Sequence, residues 1–139
     1  MPYQEIPILG EFFKLTHVQN PAAAFSLGFN SPIVNRIFFS VFAFLMIFVV
    51  LYMLKISKSI CERVSFSLII GGAIGNLIDR LILGSVTDFF DFYFFNIFGW
   101  ERWPTFNIAD SSIVVAVVIL LYYTIFLEPK SKNIESAEI

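Results

Sequence analysis

The sequence predicts an all-α integral membrane protein with three readable transmembrane helices, a small external β or extended element and an aromatic-rich external loop. Three observations carry that reading. Of the 139 residues, 58% are hydrophobic and only 14% charged, against about 25% charged in a soluble domain. Three apolar stretches are long enough to span lipid, and ten aromatic residues crowd one interhelical segment. With a mean hydropathy of +0.79, a single domain of this length has too little interior to hide its apolar surface from water.

Residues 1–32 open the chain as an external segment. Within it, FFKLTHVQNPAAAFSLGF alternates through Phe13, Leu15 and His17 before the turn-forming Asn20-Pro21, which predicts a short strand or extended ribbon. The first span is residues 33–54, with Arg36 near its start as its one charge; twenty-two residues of helix reach about 33 Å. The second is residues 64–83, which holds Gly71, Gly72 and Gly75, glycines that allow close helix packing in lipid, and ends among Asn76, Asp79 and Arg80. The third is residues 108–127, with Asp110 in its first turn.

Between the first two spans, KISKSICER holds Lys55, Lys58 and Arg63 against Glu62. Short loops rich in Lys and Arg stay in the cytoplasm, so residues 84–107 are expected outside with residues 1–32, and the tail 128–139, with Lys130 and Lys132, inside. An external amino terminus with no span before it is unusual, and one further helix upstream of Met1 is the expectation that would make the topology ordinary. Segment 84–107 contains Phe89, Phe90, Phe92, Tyr93, Phe94, Phe95, Phe98, Trp100, Trp103 and Phe106. It is too interrupted by polar residues to span, and reads as a membrane-hugging loop or short amphipathic helix at headgroup level.

Composition also excludes partners. Nine Lys and Arg against eleven Asp and Glu give a net charge of -2, without the basic cluster that nucleic acid requires. Cys61 is the only cysteine; it cannot form an internal disulfide and has no metal-site or redox spacing around it. No cleavable leader, internal repeat or low-complexity run is readable.

Ionisable groups at a membrane span cost roughly 2.5–3.5 kcal/mol each at a helix centre, so their presence needs a reason. Asp79, Arg80, Asp88 and Asp110 all fall near one membrane face. Two helix ends joined by residues 89–109 can bring Asp88 and Asp110 together. If they are close, both cannot ionise cheaply, one pKa rises and the pair shares a proton. One carboxylate could then deprotonate water while its partner protonates a carbonyl or leaving amine, with no metal and no cofactor. The structural alternatives are that Asp110 caps its helix, that Asp79 and Arg80 serve structure, and that Asp91 replaces Asp88 in any pair. His17 has no second His or Cys near it and reads as a surface or turn residue.

Three blocks in order resemble the bacterial lipoprotein signal peptidase (signal peptidase II) family: NPAAAFS at 20–26, GGAIGNLIDRLILGSVTDF at 71–89 and FNIADSSI at 106–113. The resemblance covers the chain from about Phe12 to about Leu127. It implies an integral membrane aspartyl endopeptidase of the bacterial cytoplasmic (inner) membrane. Such an enzyme removes signal peptides from prolipoproteins before the diacylglyceryl-modified cysteine, near the outer, periplasmic face. On the matching positions it implies a catalytic dyad of Asp88 and Asp110. Asn20, Asn76, Asp79, Arg80 and Asn107 stand around that site as supporting or substrate-binding residues, with Gly72 and Ala109, and Asp91 falls outside the dyad. The implied partners are the lipid-modified prolipoprotein and membrane lipids, with a monomer expected. The aromatic segment 89–106 is then a candidate lid or lipid-contacting wall, in which Phe94 and Phe95 are the positions to test.

Four helices are usual in the family, and the first, with its D-x-x-[ST]-K motif, is not among these residues, so either the sequence starts late, at an internal methionine, or this member does without that helix. Pro21 and Ala22 after Asn20 also depart from the family pattern. Two other functions stand beside this reading: a catalytically silent membrane relative, and a small proton- or ion-conducting protein with Asp79, Arg80, Asp88 and Asp110 along its path.

Overall fold

The computed structural model describes residues 5–21, 28–93 and 101–127. Residues 22–26 of the NPAAAFS block, the aromatics Phe94, Phe95, Phe98 and Trp100, and the tail 128–139 lie outside the described residues. In chain order the elements are β1 (Glu5–Leu9), β2 (Phe13–Asn20), α1 (Pro32–Ile56), α2 (Ile60–Ile82), β3 (Val86–Phe92) and α3 (Ile108–Tyr122), which runs on into a π-helical turn, Tyr123–Leu127.

Local sequence sets each helix boundary. Ser31 caps α1, its Oγ accepting from the Val34 amide, with Pro32 inside the first turn, where its missing N–H costs nothing. Ser59 and Glu62 form a capping box for α2; the Glu62 carboxylate accepts from the Ser59 amide at 3.0 Å. That box starts α2 at Ile60, so Cys61, Glu62 and Arg63 are helical and the connection from α1 shrinks to Ser57–Ser59. The α2 end is closed by Gly84 at φ +85°, a left-handed conformation that glycine adopts without steric cost. Arg36 of α1 donates to the Leu81 carbonyl at 2.7 Å, putting a cation on the negative end of α2.

Helix α2 packs against both α1 and α3. Gly72 is where α2 and α3 come closest: a Cβ there would lie 2.5 Å from the Ala109 carbonyl oxygen and 2.7 Å from Ser112 Oγ. Gly75 meets the Ala109 methyl on the same face, whereas Gly71 faces open space, which corrects the expectation that all three glycines serve packing. Elsewhere the helices are apolar and uncovered. Only 6% of the most apolar window of α1 is buried inside the protein, an arrangement tolerable only with lipid as solvent.

A three-stranded antiparallel sheet, ordered β1-β2-β3, sits beside this bundle. Two features differ from the sequence reading. β1 is a strand, and residues 86–92 are a strand rather than part of a loop or amphipathic helix. The reason is pairing at a distance: β3 lies on β2 from Phe13↔Phe92 to Asn20↔Val86, some seventy residues away in sequence. A bulge at Thr16–His17 shifts the register between Leu15↔Phe90 and Val18↔Asp88, so that two residues of β2 oppose one of β3.

Because partners across an antiparallel pair share a face and successive residues alternate, the register makes the sheet two-sided. One face carries Ile6, Phe13, Leu15, Phe90 and Phe92, then Val18, Asn20 and Asp88. Phe13 and Phe92 stack at 4.6 Å. The other face carries Glu5, Lys14, Gln19, Thr87 and Asp91. Residues 101–106 return along the free edge of β3, with a bridge at Tyr93↔Arg102 and another at Phe90↔Phe106, and deliver the chain to α3.

Candidate active site

Three structural elements converge on one asparagine. Asn107 ends the return segment and caps α3, its Oδ1 accepting from the Asp110 amide at 3.0 Å while the Asp110 carboxylate accepts from the Asn107 amide at 3.3 Å. Its Nδ2 donates to Asp88 Oδ1 on β3 and to Asn76 Oδ1 on α2, both at 3.0 Å, and to the Thr87 carbonyl at 3.3 Å. An amide nitrogen has two hydrogens, so the longer contact to Thr87 is the shared one.

The carboxylates are held oxygen by oxygen. Asp88 accepts from Asn107 on Oδ1 and from Asn20 Nδ2 on Oδ2 at 3.0 Å. Asp110 accepts from Asn76 Nδ2 on Oδ1 at 2.8 Å and from the Asn107 backbone on Oδ2. Each contact follows from local geometry. Asn20 opposes Val86, one diagonal step from Asp88 on the same sheet face, and Asn76 lies one helical turn beyond the Gly72 contact, where α2 runs closest to α3. The capping alternative for Asp110 takes a different form from the one expected. Asn107 is the cap and Asp110 the third helical residue of the box, so capping and a role in the site coexist.

Burial sets the electrostatics. Asp88 is 2% exposed; desolvation, with the Asp110 charge nearby, pushes its pKa up to about 6 against the opposing pull of the Asn20 and Asn107 donors and of Arg80. The direct side-chain donors to Asp88, Asn20 and Asn107, are neutral carboxamides rather than cations.

The other sequence candidates sit around this core. Asp79 accepts from the Thr87 amide at 2.9 Å and so ties α2 to the start of β3, one residue before Asp88. Arg80 donates to the Asn76 carbonyl at 3.3 Å and lies over the Phe39 ring of α1. Asp91 points away from Asp88, on the opposite face of β3, and accepts from Thr16 Oγ1 at 3.1 Å and Arg102 at 2.8 Å. It is thereby separated from the pair. His17 lies on the polar face against Gln19 at 2.9 Å. Among the described residues no group of three or more His, Cys, Asp or Glu could hold a metal ion.

Sequence reasoning passed over Thr87, Thr16, Arg102 and Asn35. Asn35 is 4% exposed and clamps Phe29 through both of its backbone groups, at 2.6 and 3.0 Å. A polar side chain in the first turn of an apolar span was the available signal. Thr16 acts through a contact with Asp91 75 residues away, and Thr87 and Arg102 through contacts that depend on how β3 is placed.

A family model described as Signal peptidase (SPase) II matches residues 1–126. The chain is 41% identical over 133 residues to a lipoprotein signal peptidase of Borrelia hermsii, covering 93% of this chain and 77% of the relative. It is 40% identical over 127 residues to one of Desulforapulum autotrophicum, covering 89% and 76%. Its backbone superposes on a bacterial membrane enzyme solved by the in meso method at 2.3 Å resolution, with a TM-score of 0.75 and 29% identity over 92% of this chain and 77% of that one.

Proposed function

The chain belongs to the signal peptidase II family, membrane proteases of lipoprotein processing, and from that premise we propose that it cleaves prolipoproteins before the diacylglyceryl-modified cysteine with Asp88 and Asp110 as an aspartyl dyad. The observation that carries this reading is Asn107, one side chain and one backbone amide that hold both carboxylates from two separate elements.

In the proposed mechanism the dyad enters with one proton, carried by Asp88, the member whose burial favours the neutral form. Asp110 takes a proton from water, whose oxygen attacks the scissile carbonyl carbon while Asp88 protonates the carbonyl oxygen. The resulting gem-diol collapses. Asp110 gives its proton to the cysteine nitrogen as the C–N bond breaks and the amine leaves, and Asp88 recovers a proton from one gem-diol hydroxyl, whose oxygen stays on the carbon as the carbonyl of the new carboxyl group. Asn20, Asn76 and Asn107 hold the pair in place, and Asp79 and Arg80 hold the strand and helix that present it.

Charge placement supports the topology. Lys55, Lys58 and Arg63 gather at the α1–α2 turn, at the opposite end of α2 from Asn76, Asp79 and Arg80, and basic loops stay in the cytoplasm. The dyad then faces the outer side of a bacterial inner membrane, where a lipid-anchored cysteine presents its peptide bond. The apolar sheet face that carries Asp88 also carries Phe13, Phe90 and Phe92, and it forms the wall against which the lipid-anchored end of the substrate lies. The enzyme acts as a monomer. A conducting role has less support, since the run of α1 between Arg36 and Lys55 holds no acidic or basic residue.

The test is cleavage of a diacylglyceryl-modified prolipoprotein in detergent by the chain and by its Asp88→Asn and Asp110→Asn variants. Product ending before the lipidated cysteine, lost in both variants at equal folded yield, supports the dyad. Turnover surviving both substitutions overturns it, and no turnover by the folded parent favours the silent relative.

A further inference from the structure

We propose that the Asp91–Arg102 ion pair is a positioning pair for the dyad: it registers the return segment 101–107 against β3 so that Asn107 reaches both Asp88 and Asp110. This rests on the aspartyl reading above and concerns residues outside the dyad.

The return segment is the physical link between the two carboxylates, because it runs along the strand that carries Asp88 and ends on the cap of the helix that carries Asp110. Its backbone ties to β3 gather at two residues. Trp103 donates to the Phe92 carbonyl at 2.9 Å, Phe106 donates to the Phe90 carbonyl at 3.2 Å, and the Phe106 carbonyl accepts from the Phe90 and Phe89 amides at 2.8 and 3.1 Å. Pro104, between them, has no N–H to give. A short ladder of this kind can slip, and a one-residue slip would turn every side chain of the segment to the other face, taking Asn107 away from Asp88.

Asp91 and Arg102 oppose such a slip. The Asp91 side chain is 9% exposed and each of its oxygens has a donor, Thr16 Oγ1 on Oδ2 and Arg102 Nη1 on Oδ1 at 2.8 Å. Arg102 also lies over the Tyr93 ring and reaches the exposed Glu11 at 3.5 Å. The Glu11 contact is in solvent and contributes little. The Asp91 contact is different: losing it strands a buried carboxylate beside a single hydroxyl donor, which is strongly unfavourable. The pair therefore penalises a slip that takes Arg102 out of reach of Asp91 and, with it, Asn107 away from Asp88. Asp91 lies on the opposite face of β3 from Asp88, so the pair acts on the dyad only through the strand and the segment.

The experiment uses the full chain in detergent with a diacylglyceryl-modified precursor peptide, and compares Asp91→Asn, Arg102→Gln, Arg102→Lys and the doubly neutral Asp91→Asn/Arg102→Gln, with Asp88→Asn as control. The expected result has three parts. kcat falls at least tenfold in the neutral variants with KM within about twofold. The alkaline limb of the kcat/KM profile moves to higher pH as Asp88 loses its Asn107 donor. Arg102→Lys, which keeps the charge, recovers most of the rate. Amide hydrogen exchange at Phe106 is measured in parallel and is expected to accelerate at least tenfold in Asp91→Asn and in the double variant.

Parental kcat, pH limb and Phe106 exchange in folded neutral variants would overturn the proposal, as would a rate loss that merely follows the folded fraction with the pH limb unmoved. If Asp88→Asn retains turnover, the aspartyl reading fails on that result alone. Phe106 exchange then still decides whether the pair sets the register: unchanged exchange overturns it.

Discussion

Asn76 and Asn107 meet across the α2–α3 interface with the oxygen of the first 3.0 Å from the nitrogen of the second. That contact fixes which way both amides point. Asn76 turns its nitrogen to Asp110 and Asn107 turns its nitrogen to Asp88, so each carboxylate receives a donor from an amide whose orientation the other amide sets. Replacing Asn107 by Ala removes a donor to Asp88, a partner of Asn76 and the cap of α3 together. Misplacing a reacting group by about 1 Å can cost about 100-fold in rate, and that is the expected effect on prolipoprotein cleavage. Asn76→Ala, which spares the cap, is expected to cost activity with less loss of thermal stability. Equal stability losses in the two variants would contradict this account.

The glycines of α2 give a contrast within two adjacent positions. A methyl at Gly72 would stand 2.5 Å from the Ala109 carbonyl oxygen, a backbone atom that cannot swing aside, while one at Gly71 would meet nothing within 4 Å. Gly72→Ala is therefore expected to push α2 and α3 apart just below the dyad, lowering both the unfolding temperature and turnover. Gly71→Ala is expected to leave turnover intact and to raise helix stability by up to about 1 kcal/mol. Thermal unfolding in detergent and initial cleavage rates on both variants check the pair.

How much of this was legible depended on the range of the interaction that decides it. The three apolar stretches were readable because hydropathy is a local property. The start of α2 was missed because Ser59 and Glu62 read as part of a polar loop until their capping box is recognised. β1 and β3 were missed because strand identity in a two-sided sheet comes from pairing: Asp88 and Asp91, three apart, look like interruptions of an aromatic run, yet the alternation of β3 sends them to opposite faces. The same alternation separates the two candidates that the spacing alone left in competition. Asn107 is the opposite case, since Asn-x-x-Asp ahead of an apolar run is itself a capping signal, whereas its reach to Asp88 depends on the fold.

The pH dependence of cleavage follows from the groups around Asp88. With the Asp88 pKa at about 6, the proposed dyad would lose the proton it needs as pH rises through that value, so kcat/KM is expected to fall above about pH 6 toward a tenfold loss per unit. Asn20 donates to Asp88 Oδ2 and favours the charged form. Asn20→Ala removes that pull, raises the Asp88 pKa and moves the alkaline limb to higher pH. A limb that moves down, or does not move while Asp88→Asn is inactive, would contradict the assignment of the proton to Asp88.

The same shift makes a prediction about stability that needs no substrate. The Asp88 carboxyl holds its proton more tightly folded, at about 6, than at the ordinary 3.8. Between those values the unfolded chain releases the proton first, and stability falls as pH rises. Below about pH 3.8 both states are protonated and the burial of Asp88 carries no charge penalty; above about pH 6 the penalty is complete. Asp88→Asn has no such charge. It also replaces an acceptor oxygen by a donor facing the amides of Asn20 and Asn107, an offset that does not vary with pH. The difference in unfolding temperature between parent and Asp88→Asn is therefore expected to change against the parent by roughly ten degrees from pH 4 to pH 7, and then to level off. A difference that stays constant over that range would mean that Asp88 does not titrate between those values, and with it the proposed proton carrier would be lost.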